Sequence, residues 1–275
     1  MSESVASPGA RKSWRPAPIL SASIALNAAA ATAAVLRPHL WPWALGAMVA
    51  DHLVLTGIGL WPRSTLLGPN WIRLPAPAAA RGAVAITIDD GPDPDITPRV
   101  LALLDQHGAK ATFFCIGDRV LRHPDLAREI VRRGHALENH SQRHAHSFSL
   151  LGPRGFAKEV GQAQDSITRV VGVAPQFFRA PAGLRNPMLE PVLARFGLQL
   201  ASWTRRGFDT VSHDAGVVLN KLTHHLSGGD ILLLHDGHAG RTRSGEPIVF
   251  EVLPRLLTAV AAANLRPITL RAALT

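Results

Sequence analysis

From Ala83 to the end of the chain, short apolar runs alternate with amphipathic stretches at a regular spacing. The apolar runs are Ala83–Asp89, Ala111–Gly117, His135–Asn139, Gln176–Arg179, Leu198–Trp203, Asp230–Asp236 and Pro267–Leu270. Helix-like segments lie between them. Thr97-Pro98 supplies an N-cap and a first-turn proline for a helix running to His107, and Pro124 opens another to Arg133 that Gly134 closes. The others cover Gly155–Val171, Pro187–Phe196, Asp214–Leu226 and Pro247–Ala263. Such alternation predicts an α/β domain with a mostly parallel sheet and helices outside it. Seven strands over residues 81–275 fit a small or incomplete β/α barrel, with an open doubly wound sheet as the alternative.

The N-terminal third is different in kind. Residues 1–18 form a polar tail with Arg11, Lys12 and Arg15 near its end, and Ile19 to Leu36 then carries no charge. After Arg37-Pro38-His39 a second apolar stretch runs from Trp41 to Leu60, with Trp41, Trp43 and Trp61 at its ends. Each stretch approaches the roughly 20 residues that cross a bilayer, and terminal tryptophans suit the interfacial belt. Asp51-His52 is a cost inside the second stretch, and a re-entrant or peripheral segment is its other reading. A cleaved signal peptide, a single anchor and a two-helix hairpin over 19–62 compete. Arg11, Lys12 and Arg15 before the pair and Arg63, Arg73 and Arg81 after it favour the hairpin, with both ends on the cytoplasmic face. Residues 63–80, with three prolines and an alanine run, read as a linker.

Charge and cysteine content exclude other classes. The net charge is +9, of which +5 falls up to Arg81 (seven basic residues, two acidic) and +4 beyond it (22 against 18). The excess therefore flanks the apolar region, which fits anionic lipid better than a nucleic-acid groove. The single cysteine, Cys115, rules out an internal disulfide and a multi-cysteine zinc site. Within its apolar run it reads as a small buried hydrophobe.

Polar residues gather where the strands end, which in a β/α barrel is where reactive groups project. Asp89-Asp90 closes the first run, His140 and His144 follow the third, and Arg179 ends the fourth. Asp209 lies beyond the fifth and His235-Asp236 ends the sixth. His140 and His144 are four apart, so on a helical turn they share a face and can grip one divalent ion. With 13 histidines in the chain, that pair alone is weak. A carboxylate from Asp89 or Asp90 would complete a two-His, one-carboxylate site with positions open for water and substrate. Zinc is the default, and iron, cobalt or nickel suit the same ligands. The second carboxylate is then free to act as a base on water, as amide hydrolysis requires. By itself Asp-Asp-Gly-Pro is better read as a turn. His235 is a candidate proton donor that Asp209 could hold as the imidazolium, and Arg179 could keep a catalytic carboxylate ionised. A structural salt bridge is the ordinary reading of each taken singly.

These residues resemble the NodB-type polysaccharide deacetylases, carbohydrate esterase family four, over residues 81–275. Thr87-Ile88-Asp89-Asp90-Gly91-Pro92 matches the first motif, with Ile in place of Phe, and Ala111-Thr112-Phe113-Phe114 a framework strand. His140 to His144 matches the second motif, Arg179-Ala180-Pro181-Ala182-Gly183 the third, and Leu232 to Asp236 the fifth. The resemblance implies a distorted (β/α)7-type barrel and a metal-dependent hydrolase acting on the N-acyl amide, acetyl or formyl, of an amino sugar. It implies Asp89 as general base, Asp90, His140 and His144 as metal ligands, and His235 as general acid. Arg179 would orient Asp89, Asp209 would tune His235, and the backbone N–H of Ala182 would face the oxyanion. The fourth motif departs from the family, because Thr210 follows Asp209 where the family has a tryptophan that walls the sugar pocket.

The expected substrate is thus an envelope glycan or a polyprenyl-phosphate-linked amino sugar. Arg205 and Arg206 near the pocket could meet a phosphate, although solvent-exposed charge is the ordinary reading of such a pair. Membrane lipid is the other expected partner, nucleic acid is not expected, and the expected location is a bacterial inner membrane. A periplasmic polymer deacetylase and a degenerate glycan-binding member are the alternatives. Asp93, Asp95, His146, His213, His224, His225 and His238 are expected to serve as loop, cap or surface residues.

Overall fold

β1 (Ala83–Asp89) is buried along its whole length, and the sheet is built outward from it. The structure is a computed structural model that describes residues 14–275, so most of the expected polar tail lies outside the described residues. Before β1 come α1 (Pro18–Leu36), α2 (Trp41–Gly59) and the short α3 (Ala76–Ala80). After it follow α4 (Thr97–Gln106), β2 (Ala111–Cys115), α5 (Gly117–Arg122), α6 (Pro124–Arg132) and β3 (Ala136–Asn139). Then come α7 (Pro153–Val171), β4 (Phe177–Phe178), α8 (Leu189–Phe196), β5 (Gln199–Leu200) and β6 (Arg205–Arg206). The chain ends with α9 (Ala215–Thr223), β7 (Ile231–His235), α10 (Val249–Ala262) and β8 (Arg266–Pro267).

The strands run parallel in the order β5-β4-β3-β2-β1-β7-β6, and β8 pairs with the start of β1. The two outer strands, β5 and β6, follow each other in sequence yet are not paired, so the sheet curls into a barrel that stays open at one seam. This is the distorted β/α barrel expected, with eight strands instead of seven. The run Leu198–Trp203 supplies only the two residues of β5, and β6 was not anticipated.

Side-chain alternation sorts β1 into two faces. Val84, Ile86 and Ile88 point outward with Leu232 and Leu234 of β7, beneath Leu101, Leu104, Leu253 and Leu256 of α4 and α10. Full burial of each such side chain is worth about 1.5–3 kcal/mol. Ala83 and Ala85 point inward with Leu233, Phe114, Phe177 and Trp203. The same parity brings Thr87 and Asp89 to the inside.

Residues 63–80 are not a free tether. Leu67, Leu74 and Ala78 are buried, and the segment enters the open seam of the barrel. Trp71 N donates to Leu200 O (2.8 Å), Ser202 N to Trp71 O (2.9 Å) and Leu74 N to Gly229 O (2.8 Å). Proline and alanine content suggested a linker, but unpaired edge groups at the seam need partners, and this segment supplies them.

Thr97 begins α4 but does not cap it. Asp93 Oδ1 accepts from the N–H groups of Asp95 (3.0 Å) and Ile96 (3.1 Å), while the Thr97 hydroxyl donates to the buried Asp236. Asp214 does cap α9, accepting from Gly216 N and Val217 N.

α1 and α2 have 19 residues each and are joined by a short 3-10 turn over Pro38–Leu40. Among the described residues, α1 is the one helix long and apolar enough to cross a membrane, with a hydropathy of 1.8. α2 carries Asp51, and its carboxylate is held by Ser23 Oγ (2.6 Å) and Asn27 Nδ2 (2.8 Å) of α1. That contact offsets the cost of a carboxylate in an apolar helix. The end of α2 meets the barrel: Arg185 N donates to Gly59 O (3.1 Å), and Ser202 Oγ donates to Pro62 O (2.6 Å).

Candidate active site

A cleft of about 680 Å³ opens at the C-terminal ends of the strands, lined by Asp89, Asp90, His140, His144, Ala182 and His235 among others. The inward parity of β1 carries Asp89 into it. Asp89 Oδ1 accepts from Arg179 Nη1 at 2.7 Å. Arg179 is 1% exposed, and its remaining donors reach Thr87 Oγ1 (2.7 Å), Ala201 O (3.1 Å) and Ser202 O (2.7 Å). Its guanidinium also lies 4.1 Å from the centre of the Phe114 ring. Burial pulls the Arg179 pKa down, and the Asp89 carboxylate opposes that. One oxygen of Asp89 is therefore fixed, while Oδ2 looks toward His140 Nε2, 3.8 Å away.

Asp90 has a positive φ of 75°, which swings its side chain away from that of Asp89. Asp90 Oδ1 lies 3.3 Å from His140 Nε2 and 3.2 Å from His144 Nε2. Burial pushes the Asp90 carboxyl up, but His140 and His238 beside it prevail and hold it well below the usual carboxylate range. His140 Nδ1 stands 2.8 Å from Arg179 O, a carbonyl that can only accept, so the ring proton sits on Nδ1. Nε2 is the ring atom that faces Asp90 Oδ1. Burial, with His140 adding to it, lowers the His144 pKa to about 4, which leaves that ring neutral near neutral pH.

Asp90 Oδ1 is buried and lacks a hydrogen-bond partner. An anionic oxygen and two imidazole nitrogens converging on one point is a donor set for a cation. The ligand atoms of Asp90, His140 and His144 all lie within 4.8 Å of one another. The residues fit a divalent ion.

The two histidines do not share a helical turn, as their spacing suggested. Ser141 (φ 64°) and His144 (φ 55°) fold the chain into a left-handed bend, which Asn139 Oδ1 and Ser141 Oγ stabilise by accepting from Ser141 N and His144 N. The imidazoles still meet, with ring centres 4.7 Å apart.

Across the cleft, His235 ends β7. Its Nδ1 is 2.9 Å from Asp209 Oδ1, and its backbone N–H donates to Asp209 Oδ2 at 2.7 Å. Burial draws the His235 pKa down, but Asp209, then Asp89 and Asp90, outweigh it and push the value up to about 9. The imidazolium is thus the resting form near neutral pH. Ala182 lines the cleft at a φ of 54° in the turn Pro181–Gly183. A Cβ on the next residue, Gly183, would lie 2.6 Å from both Pro62 and Trp203, so only glycine fits between them. Thr210, which follows Asp209, lines the cleft.

The structure brings together all eight residues expected at the site, and adds two. His238 was expected to be a loop, cap or surface residue; it lies in a loop and is exposed, and its Nδ1 also stands 2.9 Å from Asp90 Oδ2. Thr87 was read only as part of a motif, and its hydroxyl supports Arg179. The one sequence signal for His238 was its place in the loop that follows His235. Arg205 and Arg206 part company: Arg205 turns outward to Asp230 and to the carbonyls of His224 and His225, and Arg206 lines the cleft.

Comparison with known proteins gives these contacts a family context. Residues 77–201 match the family model described as polysaccharide deacetylase. A peptidoglycan-N-acetylglucosamine deacetylase of Bacillus cereus is 34% identical over 185 residues, covering 63% of this chain and 81% of that protein. A chitooligosaccharide deacetylase of Azorhizobium caulinodans is 32% identical over 158 residues, 57% of this chain and 75% of that one. The crystal structure of a peptidoglycan N-acetylglucosamine deacetylase superposes with a TM-score of 0.66 at 24% identity, covering 74% of this chain and 92% of that one, and so shares its fold. The chain belongs to the polysaccharide deacetylase family, carbohydrate esterase family four.

Proposed function

We propose that this chain hydrolyses the N-acyl amide of an amino sugar, with a divalent ion, zinc by default, held by Asp90, His140 and His144. The observation that carries the reading is the convergence, in one cleft, of that ligand set with a base held by Arg179 and an acid held by Asp209. A divalent ion bound there supplies Lewis acidity to the acyl carbonyl and to water. Asp89 accepts the proton of the attacking water at Oδ2, because Oδ1 is committed to Arg179. The N–H of Ala182 faces the oxygen on which negative charge develops. His235 gives its Nε2 proton to the sugar nitrogen as the C–N bond breaks, so the products are a carboxylate and an amine. Arg179 and Asp209 position and charge these two groups.

The substrate we favour is a lipid-linked amino sugar of the bacterial envelope, presented at the inner membrane. The junction of α2 with the barrel supports this, since Pro62 packs behind Gly183, which lines the cleft beside Ala182. The exposed apolar side chains of α1 and α2, among them Ile24, Val35, Trp43 and Leu53, suit membrane lipid. Basic flanks favour the cytoplasmic face; Arg73 is paired with Asp230, so that charge rests on Arg15, Arg63 and Arg81. The relatives named for peptidoglycan favour a second reading, an outward-facing polymer deacetylase.

Acyl release by the detergent-solubilised full chain distinguishes the two. N-acetyl and N-formyl polyprenyl-phosphate sugars are offered beside an acetylated chito-oligosaccharide, with and without chelator. Chelator-sensitive release from the lipid-linked sugars is expected. Release only from the oligosaccharide selects the polymer reading, and none from any of them overturns both in favour of a binding-only member.

A further inference from the structure

Arg206 lines the cleft with no acceptor for its guanidinium among the described residues, and its Nε is buried without a partner. The other arginines of the cleft are all engaged. Arg119 sits beside Asp93 (3.6 Å), Arg122 Nε donates to Asp118 O (3.2 Å), and Arg143 Nε donates to Glu159 (2.7 Å). Arg205, the adjacent residue on β6, is fully tied to Asp230 and two carbonyls. A guanidinium presents donors in a planar fork and keeps its charge at any working pH, so a partly buried one without an acceptor is a site awaiting an anion.

The position is built. Arg206 pairs in register with Leu233, two residues before His235, so it stands about 7 Å along the strand from the proposed acid. The side chain lies between two rings, its centre 5.5 Å from that of Trp203 and 5.0 Å from that of Phe208. Stacking of this kind fixes the plane of the fork while leaving its edge free for a bidentate ligand. Phe208 has a φ of 61°, so the backbone itself turns to place that ring.

The geometry points to Arg206 as the residue that binds a phosphate ester on the substrate, close to the amide that is cleaved. This rests on the deacylase reading of the cleft, and it separates the two neighbouring arginines: Arg206 selects substrate, and Arg205 ties β6 to the β7 loop.

The test measures binding to the full-length protein in detergent. The probes are N-acetylglucosamine 1-phosphate, its ester with a short polyprenyl chain, and methyl N-acetylglucosaminide, which lacks phosphate. The wild type is expected to prefer the phosphorylated sugars by about tenfold or more, the scale of a charge-assisted bidentate contact. Arg206→Met is expected to abolish that preference, read as the ratio of affinities for the phosphorylated and methyl sugars, and Arg206→Lys to restore part of it. If Arg206 only braces Trp203 and Phe208, Arg206→Met weakens all three probes alike, and the proposal falls. It falls also if the wild type shows no preference, whatever becomes of the variants. Preference for the 1-phosphate alone assigns the site to a free sugar phosphate, and equal preference for its polyprenyl ester assigns it to a lipid-linked one. Turnover of the methyl glycoside, followed separately, reports on the deacylase reading, so the two failures are distinguishable.

Discussion

His235 Nδ1 and Asp209 Oδ1 lie 2.9 Å apart with Asp209 fully buried, and this pair sets the charge of the proposed proton donor near neutral pH. The His235 pKa is pushed up to about 9 from the ordinary 6.5. Activity that depends on the imidazolium is therefore retained through neutrality and falls as pH rises through about 9. Asp209→Asn is expected to move that alkaline limb down toward neutrality and to lower kcat by about 10²-fold at pH 8. The same raised pKa makes a stability contribution that is fully present below 6.5 and is lost as pH rises through about 9. Thermal melts of the two proteins between pH 6 and 10 check this, and parallel profiles would show that Asp209 does not charge His235.

Asp89→Asn removes the proposed base while leaving the Asp90–His140–His144 set intact. Turnover is expected to fall by about 10³-fold with metal content unchanged, measured by kinetics beside elemental analysis. Arg179→Met acts differently, because Asp89 is then buried without its partner. Removing one member of a buried ion pair costs about 3–5 kcal/mol, so this variant should melt well below the wild type as well as lose activity. A well-folded Arg179→Met protein of wild-type stability would refute the ion pair as the support of Asp89.

Metal affinity follows from the protonation of its ligands. Asp90 is held well below the usual carboxylate range and His144 at about 4, so neither needs to lose a proton near neutral pH. The His144 contribution to affinity is therefore expected to persist through neutrality and to be lost as pH falls through about 4. Chelation should lower the melting temperature, since a ligand at 100 times its Kd contributes about 2.7 kcal/mol. His144→Ala should erase the difference between chelated and metal-loaded melts. A metal-dependent melt that survives in that variant would place the ion elsewhere.

The fold was legible where strands are long and buried on both faces. β1 and β7 announce themselves as unbroken apolar runs that end in reactive side chains, and from them the barrel and most of the site follow. β4 and β5 lie within the apolar runs Gln176–Arg179 and Leu198–Trp203, though each keeps only two residues, whereas β6 is two arginines with no apolar signal to announce it. Composition also misled over residues 63–80, because pairing at a seam depends on backbone groups that every residue carries. His238 was missed for a related reason. Its contact with Asp90 joins residues 148 apart in sequence and is made by a loop whose course no local pattern encodes. The spacing of His140 and His144 gave the right partners through the wrong geometry, since a left-handed bend brings the rings together as well as a helical turn would.

The junction between hairpin and barrel makes the last prediction. A Cβ on Gly59 would lie 2.2 Å from Arg185 O, a backbone atom that no rotamer change can move. Gly59→Val must therefore push α2 away from the loop that carries Arg179, Ala182 and Gly183. Strain of this kind costs about 1–3 kcal/mol, and relieving it displaces Pro62 from behind Gly183, which lines the cleft. The membrane association proposed for the apolar faces of α1 and α2 is expected to be unchanged. Turnover is expected to fall about tenfold even on a soluble chito-oligosaccharide, because a small displacement at the oxyanion side of a site is costly. Gly57→Val is the control, since nothing lies within 4 Å of the Cβ it would add. If both variants retain wild-type turnover on the soluble substrate, the hairpin is a tether and the wall of the cleft stands without it.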